Sequence, residues 1–521
     1  MPSSHIQPTA RTESSLGARS AGHTVRDLTL PEPCIKSNCK VPATQVSTYA
    51  QWRHAAAPAA LHDSADAPPP EQLLQVIWQY QRIVRDQLKT LDGEAVKVLH
   101  PGFKNCEAGP DFKRAVIQFG TAAPVSGDVE IDVHPACWRT HNHHANPAYR
   151  NVVLHVVWDA TPEYRPEVRT LPIRHALDSP LHELSWWLGH KVELAPPQNY
   201  FGLCRPALAR LDRSALTKLL HQAAQFRLEA KAAQLRARAR QAGWEQALWE
   251  ALFRALGYKQ NVWPMHRLAE LKPRWYAPGL SSIELQARLL GLAGLLPHEL
   301  TRRYGTADAY LRRVWDIWWR DRDQFSDCIL PRAVWQFAGV RPSNHPQRRL
   351  ALAAHWLSAG DLALRLERWL AGGASTAQPA HVLLESLQPG PDEFWSVHWT
   401  LRSRPLRRPQ PLIGLPRLTD LAVNVFLPWL WSRAVEGNND ALRDRVQRWY
   451  FSWPAGEDNA LLRLARQRLL AGAPPGCING AAAQQGLLQL VHDFCDQSDA
   501  LCSNCKLPQL VSGLAARHVG T

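Results

Sequence analysis

The chain shows no regular spacing of apolar positions until about residue 70, and from there its pattern changes twice. Residues 1–69 are rich in Ser, Thr, Pro, Ala and His with little periodic hydrophobicity. Such a composition buries too little apolar surface to offset chain entropy, so a disordered leader is expected. From Glu71, EQLLQVIWQYQRIVRDQL places Leu73, Leu74, Ile77, Tyr80, Ile83, Val84 and Leu88 at three- and four-residue intervals, predicting an amphipathic helix. Strand patterns follow. AVKVLHPGF reads as a strand and turn, FKRAVIQF, GDVEIDVH and YRNVVLHVVWDA as three further strands, and VRTLPIR as a last one. One helix, then four or five strands, makes residues 70–205 an α/β unit.

Beyond it nearly every segment has helical spacing. SALTKLLHQAAQFRLEAKAAQLRARARQAG carries an apolar stripe opposite a line of Arg and Lys, followed by WEQALWEALFRALGY, IELQARLLGLAGLL and ALAAHWLSAGDLALRLERWL. Residues 206–510 are therefore expected to form a large helical C-terminal domain of about ten helices, ending in a cysteine cluster. No fixed-period repeat appears, which argues against a solenoid. The fold class expected is α/β plus all-α.

At 521 residues the chain exceeds what one core usually organises, in keeping with this division. No run of 18 apolar residues is present, and the first residues lack the apolar core of a secretory signal, so a cytoplasmic protein without a membrane partner is expected. Ten cysteines in so long a chain are no secreted disulfide framework, which leaves packing, metal binding or catalysis as their uses. A net charge of +14 favours a polyanionic partner, because Lys and Arg gain free energy by displacing counterions from phosphates. The excess of Arg fits a GC-rich genome equally well. Arg227, Lys231, Arg236, Arg238 and Arg240 on the long predicted helix, and LRSRPLRRPQP near residue 405, either track a nucleic acid or form solvated surface; Arg341 and Arg348 flank a turn-like Pro and are candidates for a shared cleft.

The stretch GPDFKRAVIQFGTAAPVSGDVEIDVH holds the clearest chemistry. Asp111 opens one predicted strand and Glu130 lies in the next, with a hairpin-sized connection containing Gly120, Pro124 and Gly127. If the two strands pair antiparallel, both carboxylates come to one end of the sheet. Period-two alternation then puts Asp132 on the face of Glu130, with Ile131 and Val133 toward the core. Converging carboxylates are what Mg²⁺-assisted phosphodiester hydrolysis requires. An isolated pair would equally cap turns.

These residues resemble the PD-(D/E)xK nuclease superfamily, whose core is a helix followed by a mixed sheet. Pro110-Asp111 matches the first half of the motif and Glu130-Ile131-Asp132 stands where the second half belongs. The resemblance implies Asp111, Glu130 and Asp132 as ligands of Mg²⁺ or Mn²⁺ and a nucleic acid as substrate, DNA and RNA both open. Asp132 occupies the slot of the superfamily's Lys, so His134 or Lys113 is the substitute for activating water, or catalysis is lost. From the upstream helix the superfamily often supplies an acid, here Glu71 or Asp86. The chain from Glu71 to Leu507 also resembles a bacterial family, the domain of unknown function 2851. That likeness rests on PGFKNCEAGPDF, GDVEIDVHPACW, HNHHANPAYRNVVLHVVW, GYKQNVWPM, VRPSNHPQRRLALAAHW and QQGLLQLVHDFCDQSDALCSNCKLP.

Two further clusters stand out. His134, His141, His143, His144 and His155 are dense enough for a zinc hydrolase, which needs three converging ligands; otherwise the loop histidines face solvent or phosphate and His155 is a satisfied core residue. Near the C-terminus Cys495, Cys502 and Cys505 follow a C-x6-C-x2-C spacing, a metal signal that wants a fourth thiolate. Cys204 and Cys477 are the choices. Cys204 is similar in plan to the iron–sulfur staple of some PD-(D/E)xK nucleases, and structural Zn²⁺ and [4Fe–4S] are both open. Cys34 and Cys39 read as incidental thiols.

Overall fold

The computed structural model describes residues 47–56, 68–105, 109–160, 167–178, 181, 184, 202–258, 260–300, 308–372, 378–458, 460–471, 478–495 and 505–519. Most of the expected leader, with Cys34 and Cys39, lies outside the described residues, as do Cys477 and Cys502. Within that leader, however, Thr48–Ala56 is a helix, α1, whose Tyr49 and Trp52 are buried. The Tyr49 hydroxyl donates to the carboxylate of Asp493 at 2.6 Å, and Arg53 ion-pairs with the same group. Two aromatic side chains anchor this turn of helix, a signal too short to register as periodicity.

The upstream helix, α2, runs from Glu71 to Gln79 and is shorter than its pattern predicts. Gln81 adopts a left-handed conformation with φ of 50°, and the amide of Arg82 donates back to the Ile77 carbonyl, closing the helix. Ile83 and Leu88 remain buried, but on extended chain: the Val84 amide donates to Ala176 and Ile83 bridges Leu177. Helical spacing thus persisted through a segment whose backbone bonds go instead to Ala176 and Leu177, just beyond the last strand of the sheet.

The sheet has the order β1-β3-β4-β5-β6, formed by Val96–His100, Phe112–Phe119, Val125–Asp132, Val152–Val157 and Thr170–Pro172, with the short β2, Phe103–Lys104, added to β3. β1 with β3 and β3 with β4 are antiparallel; β4 with β5 and β5 with β6 are parallel, so the sheet is mixed. Each strand segment read from the sequence is a strand. Leu74 and Ile77 of α2 share one core with Phe112, Ile117, Val129, Ile131, Leu154 and Val156. Because β4 and β5 are parallel, the chain must return the length of the sheet between them. Residues 133–151 make that return, through the single helical turn α3, Cys137–Thr140, and two 3₁₀ turns. Gly127 is required where the strands meet, since a Cβ there would lie 2.2 Å from Val153 Cγ1.

From Arg205 onward the described residues form sixteen α-helices, more than the pattern suggested. Glycine and proline divide long apolar runs: ALAAHWLSAGDLALRLERWL is two helices, Pro346–Ser358 and Leu362–Gly372, parted at Gly360 with φ of 93°. The longest helix, Arg213–Ala242, begins with the Asp212 side chain accepting from the Ala215 amide and ends at Gly243, with φ of 84°. At 1.5 Å per residue it is about 45 Å long. It runs past three cores in turn. Leu216 to Ala223 pack with Cys204, Leu487 and Phe494, Leu228 and Leu235 join the main helical core, and Ala237 rests against the sheet core.

The basic face read on this helix is largely occupied within the chain. Arg227 donates to Gln485 and Gln489, Lys231 to Asn424 and Gln485, and Arg238 pairs with Glu250. Arg348 is only 1% exposed and donates to the carbonyls of Trp395, His398, Gln410 and Pro411, so it holds a loop together and reaches no cleft. Arg341 is exposed and pairs with Glu457. Arg404, Arg407 and Arg408 are exposed, as a solvated or phosphate-facing run would be. No helix among the described residues is long and apolar enough to cross a membrane.

Candidate metal centre

Antiparallel pairing of β3 and β4 brings Asp111 and Glu130 together through a reciprocal pair of contacts. The Asp111 amide donates to Glu130 Oε2 at 3.1 Å, and the Ile131 amide donates to Asp111 Oδ2 at 3.1 Å. Asn105 secures the Gly-Pro-Asp turn, its amide donating to the Asp111 carbonyl at 2.7 Å and its side chain to the Pro110 carbonyl. From α2, the Gln75 side chain donates to Asp111 Oδ1 at 2.9 Å and to Glu71 one turn earlier. Asp132 lies at the end of β4 on the face of Glu130, as alternation requires, and is 1% exposed. Of the two acids offered upstream, Glu71 joins this cluster; Asp86 is exposed in a separate 3₁₀ turn.

The parallel register sets His155 of β5 beside Glu130, and its ring is on the same face. His155 Nε2 hydrogen-bonds Asp132 Oδ2 at 3.0 Å. The return segment supplies two more rings. His141 follows α3 and puts Nδ1 3.3 Å from Asp132 Oδ1; His143 puts Nε2 3.2 Å from Glu130 Oε1. Asn142, with φ of 58°, turns the chain between them, a conformation Asn tolerates well. His143 is held by stacking on Tyr149, ring centroids 4.0 Å apart, with the buried Trp138 on another side at 5.6 Å.

Neither ring nitrogen of the buried His143 makes a hydrogen bond, although Glu130 is within reach. A buried imidazole without a partner is costly, and a cation removes that cost. Two ligands on one ion, each about 2.0–2.1 Å from it at a tetrahedral angle, lie roughly 3.3 Å apart without hydrogen-bonding one another. Glu130 and His143 stand close to that separation, at 3.2 Å, and Asp132 completes the group: a ligand atom from each of the three lies within 4.8 Å of the others, and all three residues are buried. Among the described residues one more such group occurs, Asp132, Cys137 and His141.

Without a cation the carboxylates repel one another. Burial first, and then the neighbouring carboxylates, push Glu130 up to about 9 and Asp111 up to about 7, and raise Glu71. Burial holds the His143 imidazole below its usual value, in the neutral form a metal takes. Tyr149 is pushed up to about 12 by burial and by Glu130.

Other expected residues stand apart. His134 lies beyond the strand end, exposed in the turn before α3, because β4 stops at Asp132. The Lys113 side chain makes no hydrogen bond or ion pair among the described residues; the cation acting on Asp111 is Lys104 of β2. His144 is exposed. Cys204, Cys495 and Cys505 share one apolar core, with Cys505 Sγ 3.7 Å from the Phe494 carbonyl; among the described residues, which leave out Cys477 and Cys502, they form no convergent ligand group. Spacing alone did not mark Gln75, Tyr149 or Cys137, which reach the site only through the fold.

A model of the family described as "Protein of unknown function (DUF2851)" matches residues 71–459. The chain belongs to that family. The match takes in every member of the cluster from Glu71 to His155, together with Cys204, and ends before Cys495. No curated protein and no solved structure matches the chain.

Proposed function

We propose that this DUF2851 chain is a divalent-metal-dependent phosphodiesterase acting on nucleic acid, its N-terminal half a PD-(D/E)xK-like nuclease unit. The observation that carries this reading is the meeting of Asp111, Glu130 and Asp132 at one end of β3 and β4 with the unpartnered, buried His143. Glu130, Asp132 and His143 are the ligands. Their mixed oxygen and nitrogen set suits Mn²⁺ or Zn²⁺ better than Mg²⁺, which favours oxygen alone. A bound cation would supply Lewis-acid polarisation of a phosphoryl oxygen and acidify water. The chain's own residues fix the rest: Gln75 and the Ile131 amide orient Asp111, His155 orients Asp132, and Tyr149 and Trp138 hold the His143 ring. The net charge of +14 draws a polyanion to the surface.

A second reading is a catalytically inactive nuclease-like protein that binds nucleic acid or a protein partner. It is favoured by Asp132 in the slot of the superfamily's Lys, with neither His134 nor Lys113 beside the cluster. The test is cleavage of single- and double-stranded DNA and RNA in chelator, Mg²⁺, Mn²⁺ and Zn²⁺. The expected result is cleavage with Mn²⁺ or Zn²⁺ that Asp111→Ala, Glu130→Ala and His143→Ala each abolish. Binding without cleavage under any metal would establish the second reading. A zinc hydrolase built on histidines alone would keep its activity in Asp111→Ala and lose it in His141→Ala.

A further inference from the structure

We propose that Asp132, Cys137 and His141 form a second cation site, joined through Asp132 to the one formed by Glu130, Asp132 and His143, so that the centre takes two divalent ions. This rests on the reading of the first three residues as ligands. One ligand atom from each of Asp132, Cys137 and His141 lies within 4.8 Å of the others. Cys137 opens α3 and His141 follows its last residue, with the His141 amide donating to the Cys137 carbonyl at 2.8 Å. Positions four apart on one helical turn face the same way, so the thiol and the imidazole are presented together.

Asp132 is pinned from the other side. Its Oδ2 meets the His155 hydrogen bond, while Oδ1 stands 3.3 Å from His141 Nδ1, within hydrogen-bond distance but without the geometry of one. The contrast among the three histidines is the point. His155 bonds its carboxylate, whereas His141 and His143 approach theirs at 3.3 and 3.2 Å without bonding, the separation of two ligands around one ion. Asp132 lies in both groups, and a carboxylate with about four lone-pair sites can accept from His155 and still meet two ions.

The two sites differ in character. The first is buried on every ligand, while Cys137 is half-buried and His141 exposed, so the second opens to solvent. A thiolate and an imidazole select zinc-class ions and disfavour Mg²⁺. Binding deprotonates the Cys137 thiol, the sulfur–metal bond forming as the proton leaves to solvent.

The experiment is titration of the full chain with Co²⁺ under reducing, anaerobic conditions, counting bound metal by equilibrium dialysis and recording absorption. The expected outcome is that Cys137→Ser and His141→Ala each bind one equivalent fewer than the wild type, and that Cys137→Ser loses sulfur-to-cobalt charge-transfer intensity. His143→Ala removes a different equivalent and leaves that intensity in place. His141→Ala alters an exposed side chain, so it keeps the test open should Cys137→Ser fold poorly. If both Cys137→Ser and His141→Ala bind as much Co²⁺ as the wild type, with unchanged spectra, the second site is refuted while the first stands. If His143→Ala also changes nothing, the first site falls with it.

Discussion

Glu130→Gln in the metal-free protein probes whether the carboxylates crowd one another as the geometry indicates. Burial and the neighbouring Asp111 hold Glu130 up at about 9 against a usual 4.5. A group whose pKa is raised in the fold binds a proton there that the unfolded chain has released. Its contribution to stability is complete below 4.5 and is lost as pH rises toward 9. The loss is about 1.4 kcal/mol per pH unit, so between pH 5.5 and 8 the wild type should lose about 3 kcal/mol relative to a variant that cannot titrate. Glutamine has the shape of the protonated acid, so the two proteins should converge as pH falls to 4.5, the wild type already trailing by about 1.4 kcal/mol at pH 5.5. The assay is urea unfolding of both, in chelator, across that range, with the difference in unfolding free energy plotted against pH; titrating groups away from the carboxylate cluster cancel in the difference. Adding Mn²⁺ at a hundredfold its dissociation constant should return about 2.7 kcal/mol to the wild type at pH 8 and far less to the variant. Parallel curves through the whole pH range would refute the reasoning, because Glu130 would then hold no extra proton in the fold.

Three further outcomes follow from packing and burial. Arg348→Met should cost about 3–5 kcal/mol in denaturant unfolding, since it strips the donor from four carbonyls, those of Trp395 and His398 in buried bonds, and Arg348→Lys should recover only part of this. Gly127→Ala should lower stability by at least about 1–3 kcal/mol by driving a methyl into Val153 at the β4–β5 junction, with a double variant Gly127→Ala, Val153→Ala recovering much of it. His100 is held near 3 by burial and by Arg114, so it stays neutral in the fold while the unfolded chain protonates below 6.5. Stability should therefore fall with pH from 6.5 downward by about 1.4 kcal/mol per unit, and His100→Asn, whose oxygen can still accept from the Gly102 amide, should lack that component in acid unfolding.

Alternation made the sheet and its acids legible. FKRAVIQF coincides with β3 from end to end, and the two-residue period put Glu130 and Asp132 on one face before any pairing was known. Spacing failed where tertiary partners decide. The helix from Glu71 stops at Gln79 because the following backbone pairs with Ala176 and Leu177, an interaction nearly a hundred residues away that no local window contains. The arginine stripe of the long helix looked solvated, yet its hydrogen bonds go to Gln485, Gln489 and Glu250 on other helices. The five histidines were visible as a cluster, but only the parallel β4–β5 crossover, which sends residues 133–151 back along the sheet, selects His141, His143 and His155 and leaves His134 and His144 in solvent.

The acid at position 132 then takes on a definite meaning. A Lys there would cancel part of the charge of Glu71, Asp111 and Glu130, whereas Asp132 adds to it, so a bound cation has more repulsion to relieve. Asp132→Asn separates charge from shape: the amide oxygen can keep the His155 hydrogen bond, while the carboxylate shared by both ligand groups is gone. In chelator above neutral pH the variant should be the more stable protein, because one repelling charge has been removed from a buried cluster. In Mn²⁺ or Co²⁺ titrations it should bind both equivalents at least tenfold more weakly, a larger defect than His141→Ala or His143→Ala, each of which spares one group. If Asp132→Asn binds cations as tightly as the wild type, Asp132 is only a partner for His155, and the site must be centred on Glu130 and His143 without it.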